Sequence, residues 1–138
     1  MMPTPIAIAV VERDGWFLVG RRPEGVALAG LWEFPGGKIE QGESPETAAA
    51  RECLEEAGVH VEPLFRYPTN VQHYSHASVE LFFVACRPVA ADPFSTANGY
   101  RWVSRDELTK LEFPEGNQAV LQILMSAKSA LGDSAGVG

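Results

Sequence analysis

The stretch from Gly37 to Val59 constrains this chain more than any other part of it. Gly37 is followed after five residues by Glu43, and after seven more by the run Arg51-Glu52-Cys53-Leu54-Glu55-Glu56-Ala57-Gly58-Val59. Ser44 is a good N-cap, Pro45 suits the first helical position and Gly58 suits the position just past a helix end. The spacing therefore predicts a helix over 45–57. In such a helix Glu52, Glu55 and Glu56 share one i, i+3, i+4 face, while Ala50, Cys53, Leu54 and Ala57 turn to a core. Three like charges on one stripe repel, at about 0.2–0.5 kcal/mol for each i, i+4 pair. A hard divalent cation reverses that sign, because Mg²⁺ takes oxygen ligands and cancels the charge. A solvated acidic face is the plain alternative for an isolated Glu-x-x-Glu-Glu string. The surroundings favour the metal: the helix signals are complete, and Phe34-Pro35-Gly36-Gly37 upstream reads as a tight turn whose main chain can approach a ligand closely.

Composition bounds the function classes. The chain has 138 residues, 46% of them hydrophobic and 21% charged, which suits one globular domain with a real core. We expect that domain to span 1–132, with the small residues 133–138 as a frayed tail. A net charge of −7 argues against a basic groove for polymeric nucleic acid but not against a phosphorylated small molecule, whose cations screen an acidic site. The two cysteines, Cys53 and Cys86, lie in apolar surroundings and read as buried free thiols of a reducing compartment. Met1-Met2-Pro3-Thr4-Pro5 lacks the basic and apolar regions of a signal peptide, and no apolar run reaches membrane-spanning length. The expected location is cytoplasmic, without a membrane partner.

Elsewhere the pattern alternates strand and helix. Apolar runs at 5–11 and 16–20 flank Asp14-Gly15, a hairpin signal. Arg21 to Ala29 reads as a loop, and further strands are expected near 61–67, 77–86 and 99–103. The run from Val79 to Ala85 is apolar on both faces, as in a strand covered on two sides. Pro114 opens a second helix, with Val120, Ile123, Leu124, Ala127 and Leu131 at helical spacing.

The pattern G-x5-E-x7-R-E-U-x-E-E-x-G-U, with U a bulky apolar residue, resembles the Nudix box of the Nudix hydrolases. Every fixed position matches, and Cys53 stands at the first U site, where cysteine serves as a small hydrophobe. The implied fold is α/β: a mixed β-sheet sandwiched between α-helices (α/β/α). Arg21-Arg22, the run from Leu31 to Lys38, and Phe113-Pro114-x-x-Asn117 look in addition like the MutT branch, the 8-oxo-dGTP diphosphatases. That branch implies hydrolysis of an oxidised purine nucleoside triphosphate to monophosphate and pyrophosphate, a cleansing of the nucleotide pool, with Mg²⁺ (or Mn²⁺) as cofactor and a small nucleotide as partner. Carried over by position, Gly36 gives a main-chain carbonyl to the metal and Glu52, Glu55 and Glu56 supply its carboxylates. Arg22 contacts the phosphates or sugar, Glu33, Phe34, Pro35 and Gly36 line the base site, and Asn117 reads the purine edge.

Each assignment has a bland counterpart. Arg22 could be a surface arginine, although its planar fork suits phosphate oxygens. Asn117 could merely bond the first turn of its helix, although an amide offers the donor and acceptor that a purine edge requires. Trp32 and Phe34 could be core or stacking wall. Arg51 pairs most simply with Glu55 one turn on, and Glu43 either holds the loop or steers a metal-bound water. Two positions depart from the MutT pattern: Ala27 replaces an expected histidine, and the loop Ser95-Thr96-Ala97-Asn98-Gly99 lacks an expected acid. The general base is thus unassigned, with Glu80 a substitute if its strand turns it inward. No P-loop is present, and His73 and His76 lack partners at zinc spacing. Competing readings are hydrolysis of cytidine nucleotides, dinucleoside polyphosphates or nucleotide sugars, and a non-catalytic Nudix-fold binding module.

Overall fold

A computed structural model describes residues 2–26, 28–89 and 95–126 of the chain. Its strands are β1 (Thr4–Arg13), β2 (Trp16–Arg21), β3 (Trp32–Glu33), β4 (Gly36–Lys38), β5 (Val61–Arg66), β6 (Asn70–His73), β7 (Ser78–Pro88) and β8 (Arg101–Ser104). The helices are α1 (Pro45–Ala57), the single turn α2 (Arg105–Leu108) and α3 (118–126), which follows a 3₁₀ turn at Glu115–Asn117. The strands form one mixed sheet with the path β3-β2-β1-β7-β5, to which β4, β6 and β8 add at β1, β7 and β2. β1 and β7 run parallel at its centre, from Thr4↔Val79 to Val11↔Cys86.

Strand alternation sorts the side chains into two cores. Ala7, Ala9 and Val11 of β1 join Val84 and Cys86 of β7 beneath α1, which adds Ala48, Ala49, Cys53 and Ala57. Val10, Phe17, Val19, Leu81 and Phe83 face the other way, against Phe34, Leu108, Phe113, Val120 and Leu124. The result is the expected α/β/α arrangement.

The hairpin forms at Asp14 (φ 50) and Gly15 (φ 83), the paired positive φ values of a type I′ turn. α1 spans the predicted residues. Ser44 Oγ accepts from Thr47 N at 3.1 Å, and Gly58, at φ 72, donates its N–H to Leu54 O at 3.0 Å. Its buried stripe is shifted, however: Ala48 and Ala49 are inside, while Leu54 is 40% exposed. Ala49, Cys53 and Ala57 form the i, i+4, i+8 line, so Leu54 turns past the edge of the sheet, and Glu52 and Glu56 border the buried stripe rather than oppose it.

Three other expectations change. The Gly36-Gly37 segment is not a tight turn but β4, paired antiparallel with β1 through Ile8↔Gly36 and Ala7↔Gly37. The strand β6 was unforeseen because Asn70, Gln72 and His73 carry little strand propensity, and its pairing to β7 is a tertiary event. Pro114 leads first into the 3₁₀ turn and only then into α3. Ala127, Leu131, the expected domain end at 132 and the tail 133–138 lie outside the described residues, as does Ala27. Among the described residues Cys53 and Cys86 are free and buried, burial pushing each thiol up to about 12, and no helix is long and apolar enough to cross a membrane.

Candidate active site

The acids of α1 are arranged by one arginine and one strand. Arg51 donates Nε to Glu43 at 2.7 Å and Nη2 to Glu43 at 2.9 Å, Nη1 to Glu52 at 2.9 Å, and Nη2 to the Lys38 carbonyl at 3.1 Å. Its contact with Glu55, the partner expected from helical spacing, is longer at 3.3 Å. Both oxygens of Glu43 are thereby used, and one also accepts from Glu40 N at 2.9 Å. The loop-holding role of Glu43 is thus the one its contacts support, and Arg51 beside it holds the Glu43 carboxyl below its ordinary range.

Glu52 and Glu56 press against β4. A Cβ on Gly37 would lie 2.5 Å from the Glu52 carboxylate, and one on Gly36 would lie 2.6 Å from the Ala7 carbonyl. Glycine is needed here for close approach, since neither residue has positive φ. Glu56 accepts from Gly36 N at 2.9 Å. Burial pushes its carboxyl up to about 7; repulsion from Glu52 and Glu33 adds to the rise, while the Gly36 N–H and the Tyr100 hydroxyl oppose it. Glu52 keeps 14% of its side chain exposed and Glu55 58%, so the three acids differ in depth.

Beside this cluster opens a cavity of about 550 Å³. Arg22, Glu33, Phe34, Gly36 and Asn117, all predicted site residues, line it. Pro35 does not: it is fully buried, and its carbonyl accepts from Ala9 N at 2.8 Å. An extended X-Pro segment does not announce such burial. Arg22 Nη1 pairs with Glu33 at 2.8 Å across the cavity wall. Phe34 is both core and wall, stacked on Phe113 with centroids 4.9 Å apart. Trp32 lies outside the cavity lining, under the guanidinium of Arg101 at 4.6 Å. Asn117 is 8% exposed and donates Nδ2 to the Pro114 carbonyl at a long 3.4 Å.

The apolar floor escaped the sequence reading: Ile6, Ile8, Val79 and Leu81, with Leu28 and Tyr74 at the rim. A signal existed in β1, where Ile6 and Ile8 alternate with Ala7 and Ala9; the small residues seat α1 and the large ones face the cavity. Glu80 lies between Val79 and Leu81, so strand alternation turns it to the face away from the cavity. His73 bonds Ser78 Oγ at 2.8 Å in the exposed hairpin beside Tyr74.

Among the described residues, no three acidic, histidine or cysteine side chains converge as a formed metal cage. Arg51 draws Glu52 and Glu55 to itself, while Glu56 turns to Gly36. The donor chemistry nevertheless fits a hard cation. Carboxylate oxygens of Glu52 and Glu56 flank β4, and the raised Glu56 carboxyl is what a neighbouring positive charge would relieve.

The sequence model of the NUDIX domain family matches residues 6–122. This chain belongs to the Nudix hydrolase family. It is similar to the 8-oxo-dGTP diphosphatase of Escherichia coli (strain K12), with 28% identity over 123 residues covering 88% of this chain and 95% of that protein. It is also similar to the CTP pyrophosphohydrolase of the same organism, 48% identical over 54 residues, which cover 39% of this chain and 40% of that protein. Among solved structures, the E. coli ORF135 protein superimposes with a TM-score of 0.74 at 26% identity, over 95% of this chain and 94% of that one. The fold and the MutT-like resemblance read from the sequence agree with these likenesses.

Proposed function

We propose that this Nudix protein is a Mg²⁺-dependent pyrophosphohydrolase that cleaves a nucleoside triphosphate to monophosphate and pyrophosphate, with 8-oxo-dGTP preferred. One observation carries the reading: Gly36 donates its N–H to Glu56 and also lines the cavity, so the acidic cluster and a nucleotide-sized pocket meet at one residue. Glu52, Glu55 and Glu56 would hold the cation, which when bound neutralises phosphate oxygens and activates water. Arg51 presents Glu52 from behind, and Arg22 offers a guanidinium fork at the cavity wall toward sugar or phosphate. The water proton would pass to a glutamate of the α1 set or to a residue not yet assigned, since the 95–99 loop contains no acid.

For the base, Phe34 supplies a face and Asn117 an amide. Oxidation converts N7 of guanine from acceptor to donor, and an amide oxygen distinguishes those states by accepting from one alone. A second reading, a cytidine triphosphate substrate, is favoured by the 54-residue stretch shared with the CTP pyrophosphohydrolase. Product analysis and kinetics over a nucleotide panel with Mg²⁺ decide between them. The expected result is pyrophosphate release and the highest kcat/KM for 8-oxo-dGTP. Equal values for dGTP, or a higher one for CTP, overturn the base assignment, and full turnover in EDTA overturns the metal.

A further inference from the structure

The loop that lacks an acid delivers a phenol instead. Residues 96–100 are stapled to the end of α1: Ala97 N donates to Ala57 O at 2.8 Å, and Asn98, at φ 56, donates Nδ2 to Glu56 O at 2.8 Å. Thr96 Oγ1 donates to the Tyr100 carbonyl, which fixes the backbone where Tyr100 leaves the loop. The Tyr100 ring then occupies the side-chain space of Gly20 on β2, where a Cβ would lie 2.8 Å from the ring. Gly20 has no positive φ, so its glycine is explained by the ring and not by the backbone. Held this way, the Tyr100 hydroxyl lies 3.4 Å from Glu33 Oε2 and 3.4 Å from Glu56 Oε1. Tyr100 is 8% exposed, so water competes little for that proton.

We propose that Tyr100 is a positioning residue: its hydroxyl, seated by Gly20, donates to Glu56 and fixes that carboxylate for the cation, with Glu33 of the nucleotide cavity as its alternative acceptor. The proposal rests on the assignment of Glu56 to the metal made above. One hydroxyl proton serves one carboxylate at a time. When a nucleotide engages Glu33, the Tyr100 hydroxyl is left to donate to Glu56 alone, so an occupied cavity strengthens a hold that Glu56 already has in the nucleotide-free protein. Second partners of this kind typically change metal affinity or activity by about 10–100-fold when removed.

The test is a double-mutant cycle of Tyr100→Phe and Gly20→Ala, read by titrating Mn²⁺ into the nucleotide-free protein and by steady-state kinetics. Tyr100→Phe keeps the ring and its packing. It is expected to weaken Mn²⁺ binding about tenfold and to lower kcat by a similar factor, with KM changed less than about twofold. Gly20→Ala is expected to reproduce both losses by displacing the ring, and the double variant to lose no more than either single one. Should Gly20→Ala fail to fold, Tyr100→Phe decides alone. Unchanged Mn²⁺ affinity and kcat in Tyr100→Phe, or losses that multiply in the double variant, overturn the positioning role and leave the hydrolase reading standing. Absence of Mn²⁺ binding by the unaltered protein overturns both.

Discussion

Glu56→Gln offers the sharpest test of the site's electrostatics, because it should raise stability while slowing turnover. Glutamine matches glutamate in volume and retains an oxygen for the Gly36 N–H, now 2.9 Å from Glu56 Oε1. What it removes is a carboxyl pushed from an ordinary 4.5 up to about 7 by burial and by its acidic neighbours. Below pH 4.5 this group is protonated in folded and unfolded chains alike, so it creates no difference. Between 4.5 and about 7 the folded protein keeps a proton that the unfolded chain releases, so metal-free stability falls as pH rises through that window. At about 1.36 kcal/mol per tenfold in proton affinity the full loss is about 3 kcal/mol; water reaching the half-buried group reduces it to about 1–2 kcal/mol. In EDTA at pH 8, Glu56→Gln is therefore expected to melt roughly 3–8 °C above the parent. At pH 4.5 the two should coincide. Added Mg²⁺ should raise the parent's Tm more than the variant's, and kcat of the variant should fall by about two orders of magnitude. Calorimetric scans across pH with and without EDTA check this. A variant no more stable than the parent at pH 8, or a gain independent of pH, would refute the reasoning.

Three further outcomes follow from the geometry. Gly37→Ala should fold normally yet lose about 10–100-fold in kcat, since its methyl meets the Glu52 carboxylate; unchanged kcat would contradict this. Asn117→Ala should erode the kcat/KM ratio between 8-oxo-dGTP and dGTP by the equivalent of about 1–3 kcal/mol, more than it slows dGTP itself, as competition kinetics would show. Glu12→Gln should destabilise the fold by about 1–3 kcal/mol in urea titration with kcat intact, because Arg105, 8% exposed, loses a charged partner at 2.9 Å.

The parts of the fold that are local in origin were legible in the sequence. Ser44, Pro45 and Gly58 mark α1 because capping depends on residues within one turn, and Asp14-Gly15 marks its hairpin for the same reason. The acidic stripe was equally plain. What the chain does not announce is set by distant contacts. Gly36 and Gly37 looked like turn residues, and only the facing Ala7 carbonyl and Glu52 carboxylate reveal that they make a close strand. Tyr100 passed unnoticed because its partners lie 44 and 67 residues away, and the burial of Pro35 outside the cavity lining is equally a matter of distant contacts. Arg51 was read by helical spacing alone, whereas Glu43, eight residues before it, takes its shortest bond.

The alternation along β1 has a consequence for how this protein can change. Ala7 and Ala9 set how closely α1 approaches the sheet, while Ile6 and Ile8, on the same strand, shape the cavity. The two sets of positions are separated by the full thickness of the sheet. Substitution at Ile6, Val79 and Leu81 can therefore reshape the cavity while leaving the acids of α1 where they are, whereas Ile8, paired with the Gly36 that holds Glu56, links the two. Enlarging either alanine would move the whole of α1 at once, so diversity at those two sites should be selected away whatever the substrate.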